Sequence, residues 1–139
     1  MKMNNKSKYH SQTKPPKYPV PSNCPYCGGE VKYGSNSVLY RGREYGNGKC
    51  YFCIKCHASV GVHPDLVTPL GRLANKELKD LKQVAHSLFD PLWKGGKMKR
   101  QIAYKKLADK LSIPAYECHF GWFDKAMLLR AIAILKIGI

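Results

Sequence analysis

The sequence predicts an α+β protein, with a three-stranded sheet in its N-terminal part and about three helices in its C-terminal part. Residues 22–63 are rich in Gly, Tyr and Cys and contain short alternating stretches, which are typical of strands and turns. From residue 75 onward, apolar residues recur at steps of three and four, which indicates helices. A length of 139 residues excludes a large multidomain enzyme. We therefore divide the chain into segments 1–21, 22–66 and 67–139.

Residues 1–21 have the composition of an unstructured tail. They contain five lysines, four prolines and no acidic residue. Such a segment cannot bury enough apolar surface to offset the entropy of ordering, so we predict a disordered basic arm. Two interpretations stay open, a tail kept for solubility and an arm that follows phosphate groups.

Residues 22–66 contain the predicted strands. Residues 31–33 and 38–41 alternate between apolar and polar side chains, and glycine-containing turns at 34–36 and 46–48 separate them. This segment also carries most of the cysteines.

Two C-x-x-C pairs, Cys24 with Cys27 and Cys53 with Cys56, give the strongest signal in the sequence. Two residues between the cysteines let both sulfurs converge on one ion, and two such turns complete a tetrahedral four-thiolate site. A thioredoxin-like redox centre would need only one pair and a βαβ setting. We therefore predict a zinc ribbon that holds one structural Zn²⁺, whose closed thiolate shell has no open position for catalysis.

Two further residues complicate the ligand count. Cys50 lies three residues before Cys53, and His57 directly follows Cys56. Because the two C-x-x-C pairs are equivalent, we interpret Cys50 as a strand residue and His57 as a candidate hydrogen-bond donor to a ligand.

Three helices are predicted after the ribbon. The first runs from a candidate N-cap at Asn75 to the Asp90-Pro91 pair. Gly95 and Gly96 form a break, and a second helix begins near Lys97 and must end before Pro114. The third extends from a candidate N-cap at Asp124 to about residue 137.

The second helix carries the densest positive charge outside the arm. Between residues 94 and 110, seven basic residues accompany a single acid, a net charge of +6 over 17 residues. In projection, Lys99, Lys106 and Lys110 share one face of that helix. The candidate phosphate-binding residues of this stretch are Lys94, Lys97, Lys99, Arg100, Lys105, Lys106 and Lys110. An ordinary solvated lysine face is the alternative.

A second candidate surface lies on the ribbon. Arg41 and Arg43 are interleaved with four aromatic residues that could stack on the bases of a single strand. The same rings could instead fill the small core of the ribbon. They are Tyr40, Tyr45, Tyr51 and Phe52.

Six further stretches form a characteristic set. They are residues 60–63 (VGVH), 69–74 (PLGRLA), 85–93 (AHSLFDPLW), 98–100 (MKR), 103–108 (AYKKLA) and 118–121 (CHFG). Taken together, they resemble the phage and prophage family of small zinc-finger-containing proteins of unassigned function. In the last stretch, Phe120 departs from the isoleucine usual in the family. The resemblance covers roughly residues 22–130. It implies a zinc-binding N-terminal module, a helical C-terminal part and a setting in an infected or lysogenic bacterium, and it implies no activity.

The net charge of the chain limits the classes of partner that it can bind. With 24 Lys and Arg against 9 Asp and Glu, the formal net charge is +15, which favours an anionic partner, nucleic acid ahead of a membrane surface. No apolar stretch long enough for a membrane span or a signal peptide occurs, so we expect a soluble protein in the cytoplasm of the bacterial host.

We therefore predict that the protein binds nucleic acid through a basic helical surface. The first alternative is a protein-interaction module that targets an acidic host protein, such as a polymerase subunit or a defence factor. The second is a metal-dependent nuclease, which would need three ligands to meet in one cleft. The candidate ligands are His63, Asp65, His86, Asp90 and His119, and we expect no catalysis from them.

Overall fold

The computed structural model describes residues 17–139, so most of the predicted disordered arm lies outside the described part of the chain. The sheet consists of strands β1 (Val31–Ser35), β2 (Lys49–Cys53) and β3 (Ser59–Gly61). They pair antiparallel in the order β1-β2-β3, which confirms the predicted three-stranded sheet.

Strand β2 is the centre of the ribbon. Its residues Cys50, Tyr51 and Cys53 are buried, and Tyr51 pairs with Tyr33 of β1 at a ring distance of 5.1 Å. Cys50 is a strand residue, as predicted. Side-chain pairs of this kind across neighbouring strands stabilise the sheet.

The predicted strand at residues 38–41 is wrong. A 3-10 turn occupies Asn36–Val38, and further turns continue through Arg41, which has a positive φ. The reason is tertiary, because the buried Asn36 side chain bonds the backbone of Tyr45 with both its amide nitrogen and its oxygen. Those bonds fold residues 36–48 into a compact loop.

The C-terminal part contains helices α1 (Lys76–Phe89), α2 (Pro91–Lys94), α3 (Arg100–Leu111) and α4 (Lys125–Ile137). Asn75 caps α1 by accepting a hydrogen bond from the Leu78 N–H at 2.9 Å, and Asp124 caps α4 in the same way. Both predicted N-caps are therefore confirmed. The one-turn helix α2 was not predicted.

Helix α3 begins later than the sequence predicts. Lys99 is extended, with a ψ of 147°, and Arg100 is the first helical residue. Lys99 therefore does not share a helical face with Lys106 and Lys110. In this arrangement, the guanidinium of Arg100 lies 5.3 Å from the centre of the Trp93 ring, a cation-π contact across the α2–α3 connection.

Two hydrophobic cores meet at the start of α1. The ribbon core includes Leu73, and the helical core includes the next residue, Ala74. Ala74 exchanges two backbone hydrogen bonds of 3.0 Å with Ser59 of β3. The packing of the ribbon therefore extends beyond the predicted boundary at residue 66, and β3 fixes the place from which α1 starts.

A second connection is a backbone crossing between Gly71 and Gly121. The Arg72 N–H donates to the Gly121 carbonyl at 2.8 Å, and the Arg72 side chain donates to the Trp122 carbonyl. Gly71 is required for so close an approach, since a Cβ there would overlap the Gly121 carbonyl, whereas a Cβ on Gly121 would meet the Leu70 oxygen at an ordinary 3.5 Å.

Across residues 17–139, every helix is too short or too polar to cross a lipid bilayer.

Candidate functional site: a cysteine cluster and a basic groove

Four cysteine sulfurs converge at one end of the ribbon. The ligand atoms of Cys24, Cys27, Cys53 and Cys56 all lie within 4.8 Å of one another. Cys24 and Cys56 are 3.5 Å apart, and Cys27 and Cys53 are 3.4 Å apart. A tetrahedron with metal–sulfur bonds of about 2.3 Å has edges of roughly 3.8 Å, so the cluster fits one Zn²⁺ ion.

The two C-x-x-C turns have matching local geometry. The Tyr26 N–H points to the Cys24 sulfur at 3.4 Å, and the Lys55 N–H points to the Cys53 sulfur at the same distance. The Cys56 N–H and then the Lys55 N–H lower the pKa of the Cys53 thiol, because both favour its thiolate. Since the thiolate is the form that binds metal, the backbone itself prepares this ligand.

The residues outside the ligand set have other places. Cys50 and Cys118 are buried away from the cluster, and burial raises the pKa of both thiols, to about 12 for Cys118. His57 takes part in the second C-x-x-C turn through its backbone, which has a φ of 66° and whose N–H donates to the Cys53 carbonyl at 3.0 Å. Its side chain is exposed, and no hydrogen bond from it to a cysteine sulfur is found in the described structure.

A groove of about 1120 Å³ lies between the ribbon and the helices. Strand β3 and His63 contribute one part of its lining, and α1 contributes another. Residues from α2, the start of α3 and the 119–121 turn contribute further, and Tyr40, Leu70 and Gly71 complete the lining. Because the β3–Ala74 pairing fixes β3 against the start of α1, the ribbon positions both sides of the groove.

Helix α1 presents a polar stripe to this groove. Lys79, Lys82, His86 and Asp90 follow one another at steps of three or four residues, so that they lie on one face. The sequence analysis does not predict this stripe as a binding surface, although the spacing of its residues is visible in the sequence. The stripe looks like an ordinary solvated helix face until β3 is placed opposite it.

Among the residues that the structure describes, the groove cations lack acidic partners. Four positively charged residues line the groove, Lys79, Lys82, Lys94 and Arg100, against the single carboxylate of Asp90. Within residues 17–139, none of the four lies within 4 Å of a carboxylate oxygen. Lys79 donates to the Ser59 hydroxyl across the groove, and Arg100 lies against the Trp93 and Tyr104 rings.

In two of these lysines, the charged form is destabilised by its surroundings. Burial lowers the pKa of Lys82, and the neighbouring charge of Lys79 lowers it further. Burial also lowers the pKa of Lys79. Two like charges one helical turn apart in a half-buried position favour an anion in the groove, because an anion would stabilise both ammonium groups.

All three candidate catalytic histidines line the same groove. His86 contacts Asp90 at 3.3 Å through Nδ1, while His63 and His119 come from outside α1. Burial lowers the pKa of His119, whose Nε2 atom is buried with no hydrogen-bond partner. In the described part of the chain, the cysteine cluster is the one group of three or more such ligands at metal-binding spacing. The histidines and Asp90 thus line one groove, and within residues 17–139 no three of their ligand atoms lie at metal-binding spacing.

Asp65 has a structural place instead. Its carboxylate accepts hydrogen bonds from the Thr68 hydroxyl and from the backbone N–H groups of Val67 and Thr68. These bonds, the hydroxyl first, lower the pKa of Asp65 to about 2. The residue closes the turn after His63 and does not line the groove.

The predicted phosphate-binding residues fall into three places. Lys94 and Arg100 line the groove. Five others are exposed on the α2–α3 connection or on α3, and they are Lys97, Lys99, Lys105, Lys106 and Lys110. Arg41 and Arg43 are exposed on the loop of residues 39–48, beside Tyr40 and Tyr45.

The ribbon aromatics divide between core and surface. Tyr51 is buried, and its hydroxyl donates to the Val67 carbonyl at 2.6 Å, so it fills the ribbon core. Phe52 is half-buried. Tyr40 and Tyr45 are exposed.

The fold and the cysteine cluster define a zinc-ribbon protein with a helical C-terminal part, which holds one structural zinc ion. The chain belongs to a family of zinc-finger-containing domains of unknown function, whose sequence profile matches residues 20–137. Comparison with curated proteins and with solved structures gave no match.

Proposed function

We propose that the protein binds nucleic acid, with phosphate groups held in the groove between the ribbon and α1. The groove cations Lys79, Lys82, Lys94 and Arg100 are the principal contacts. Lys97 and Lys99 of the α2–α3 connection are secondary contacts, and Arg41 and Arg43 follow the lining residue Tyr40 in the chain. The exposed lysines of α3 lie outside the groove lining and are not principal contacts.

The observation that carries this proposal is the absence of acidic partners for the four groove cations within residues 17–139. Lys79 and Lys82 are half-buried, and charges that lose part of their hydration are costly unless an opposite charge compensates them. A phosphate backbone supplies such charges at regular spacing along its length. Lys94 and Arg100 are exposed and add positive charge to the same groove. The cations come from α1, α2 and α3 and all line the one groove, so a strand in it would have contacts from three elements.

An acidic segment of a host protein is the rival occupant, since it offers the same sign of charge. A nuclease is the third candidate, and the groove histidines keep it open to experiment. The setting that we propose is the cytoplasm of a bacterium that carries a phage or prophage. It is supported by the resemblance of the motifs between residues 60 and 121.

Two charge-matched triple variants test the proposal. The groove variant combines Lys82→Gln, Lys94→Gln and Arg100→Gln. The face variant, with Lys105→Gln, Lys106→Gln and Lys110→Gln, removes the same charge from the exposed side of α3. Affinity for an oligonucleotide is measured across a salt series on zinc-loaded protein, with circular dichroism as the check of folding.

We expect the groove variant to bind more weakly to all sequences and to flatten the dependence of log affinity on log salt by roughly 2–3 units. The face variant should change that slope by less than one unit. An effect confined to the face variant would move the contact to α3 and reject the groove. Unchanged slopes in both variants would reject both surfaces as the phosphate contacts. Failure of the wild-type protein to bind the oligonucleotide at low salt would reject nucleic-acid binding and favour the acidic protein. We expect the oligonucleotide to stay intact after incubation with Mg²⁺ or Mn²⁺. Its cleavage would favour the nuclease as the function.

A further inference from the structure

The loop of residues 39–48 exposes two aromatic rings. Tyr40 is 44% exposed and Tyr45 is 52% exposed, and their ring centres lie 4.8 Å apart in an edge-to-face arrangement. Neither ring belongs to the ribbon core or to the helical core. Packing of the fold therefore does not account for two large rings on this loop.

Hydrogen bonds from Asn36 and Ser35 hold the loop in place. The buried Asn36 side chain donates to the Tyr45 carbonyl at 2.7 Å and accepts from the Tyr45 N–H at 3.1 Å. The Gly48 N–H donates to the same carbonyl, and the Ser35 hydroxyl bonds the Glu44 carboxylate. Backbone and polar contacts thus position the rings, which leaves their surfaces free to contact a ligand.

The rings adjoin the basic groove. Tyr40 is itself one of the lining residues, and the exposed Arg41 and Arg43 follow it one and three residues later in the chain. An aromatic surface next to cations that have no carboxylate within 4 Å in residues 17–139 combines the two elements that bind single strands, stacking platforms for bases and positive charge for phosphates.

We propose that the ligand is a single-stranded nucleic acid, whose bases stack on Tyr40 and Tyr45 while its phosphates follow the groove. This inference rests on the proposed function and adds the class of nucleic acid. In a duplex the bases are already stacked on one another, so they are not available to these rings, whereas an unpaired strand exposes their faces.

The test uses three strands of equal length: oligothymidine, an abasic strand that keeps every phosphate, and a duplex. The stacking variant combines Tyr40→Leu and Tyr45→Leu. Its matched control combines Tyr40→Phe and Tyr45→Phe, which keep the rings and remove only the hydroxyl groups. All proteins are zinc-loaded, and affinities are measured at one low salt concentration.

We expect wild-type protein to bind oligothymidine more tightly than either other strand. The leucine variant should lose about tenfold in affinity for oligothymidine, with no change for the abasic strand, and the phenylalanine variant should behave as wild type. Equal affinities of wild type for all three strands, or an equal loss on the abasic strand, would overturn the single-strand assignment and leave the groove proposal standing. Failure of all three strands to bind would overturn both.

Discussion

At the scale of single residues, Gly28 and His57 occupy equivalent positions, each directly after the second cysteine of its pair. Both have a positive φ, 75° for Gly28 and 66° for His57. Glycine adopts this conformation freely, whereas a side chain is strained there. The second turn therefore carries a strain that the first avoids.

Exchange at these two positions tests that comparison. His57→Gly should keep its zinc and raise the free energy of unfolding by about 0.5 kcal/mol, because relief of strain exceeds the entropic cost of glycine. Gly28→Ala should also keep its zinc but lose about 1 kcal/mol, since an added Cβ meets no atom within 4 Å and only the strain remains. Chemical denaturation measures both. Loss of zinc in His57→Gly would show that the imidazole supports a ligand.

The ligand set itself is tested by single cysteine replacements. Cys27→Ser should release zinc and unfold the ribbon, because the closed four-sulfur shell loses a vertex. Cys50→Ser and Cys118→Ser are the controls and should keep one zinc per chain, since neither sulfur belongs to the cluster. Metal content by elemental analysis decides the question. Full zinc occupancy in Cys27→Ser would contradict the assignment.

His119 makes stability depend on pH. Its folded pKa is lowered, chiefly by burial, so folding favours the neutral ring. The resulting stabilisation is present above the unfolded pKa of about 6.5 and is lost as the pH falls toward the folded pKa. Between pH 7.5 and 5.5, in the presence of zinc, the free energy of unfolding should decrease more steeply in wild type than in His119→Gln. The difference corresponds to uptake of at most one proton on unfolding. Parallel curves would show that His119 does not titrate differently on folding.

At the scale of elements, the Gly71–Gly121 crossing joins the ribbon to the helical part. Gly71→Ala should lower the free energy of unfolding by about 2–3 kcal/mol, because its Cβ cannot fit beside the Gly121 carbonyl without a backbone shift. Gly34→Ala in β1 is the control, since its Cβ would meet only the Phe52 ring at 3.9 Å. We expect that change to stay within about 0.5 kcal/mol. Equal effects in thermal unfolding would show that the crossing can relax.

Local signals determined which elements could be predicted. The N-caps Asn75 and Asp124 act within one helical turn, so the starts of α1 and α4 follow from the sequence. The strand predicted at 38–41 failed because the bonds from Asn36 to Tyr45 span nine residues and override the local pattern. Such contacts depend on the finished fold, and strand propensity does not report them.

The two sites differ in the same respect. The cysteine cluster follows from spacing, because each C-x-x-C turn forms locally and the metal joins the two. The groove cannot be predicted from spacing, because it exists only where β3 lies across from α1. Lys94 and Arg100 were predicted as phosphate contacts from the charge of their stretch alone. Lys79 and Lys82 were missed because they lie outside that stretch.

At the scale of the whole molecule, the zinc ribbon and the groove are mechanically connected. Tyr26, between the first two ligands, donates its hydroxyl to the Leu73 carbonyl at 2.8 Å, just before α1. Ser59 of β3 pairs with Ala74 and accepts from Lys79. The ribbon that zinc stabilises therefore supplies β3 on one side of the groove and fixes the start of α1 on the other side.

The measurement that tests this account most directly is a titration of the zinc-loaded, ¹⁵N-labelled protein with a short oligothymidine, followed by amide chemical shifts. The account predicts that the largest changes occur together on both sides of the groove, in residues 59–61 and in residues 79–86 of α1. Changes confined to the exposed side of α3, or no changes at low salt, would contradict it.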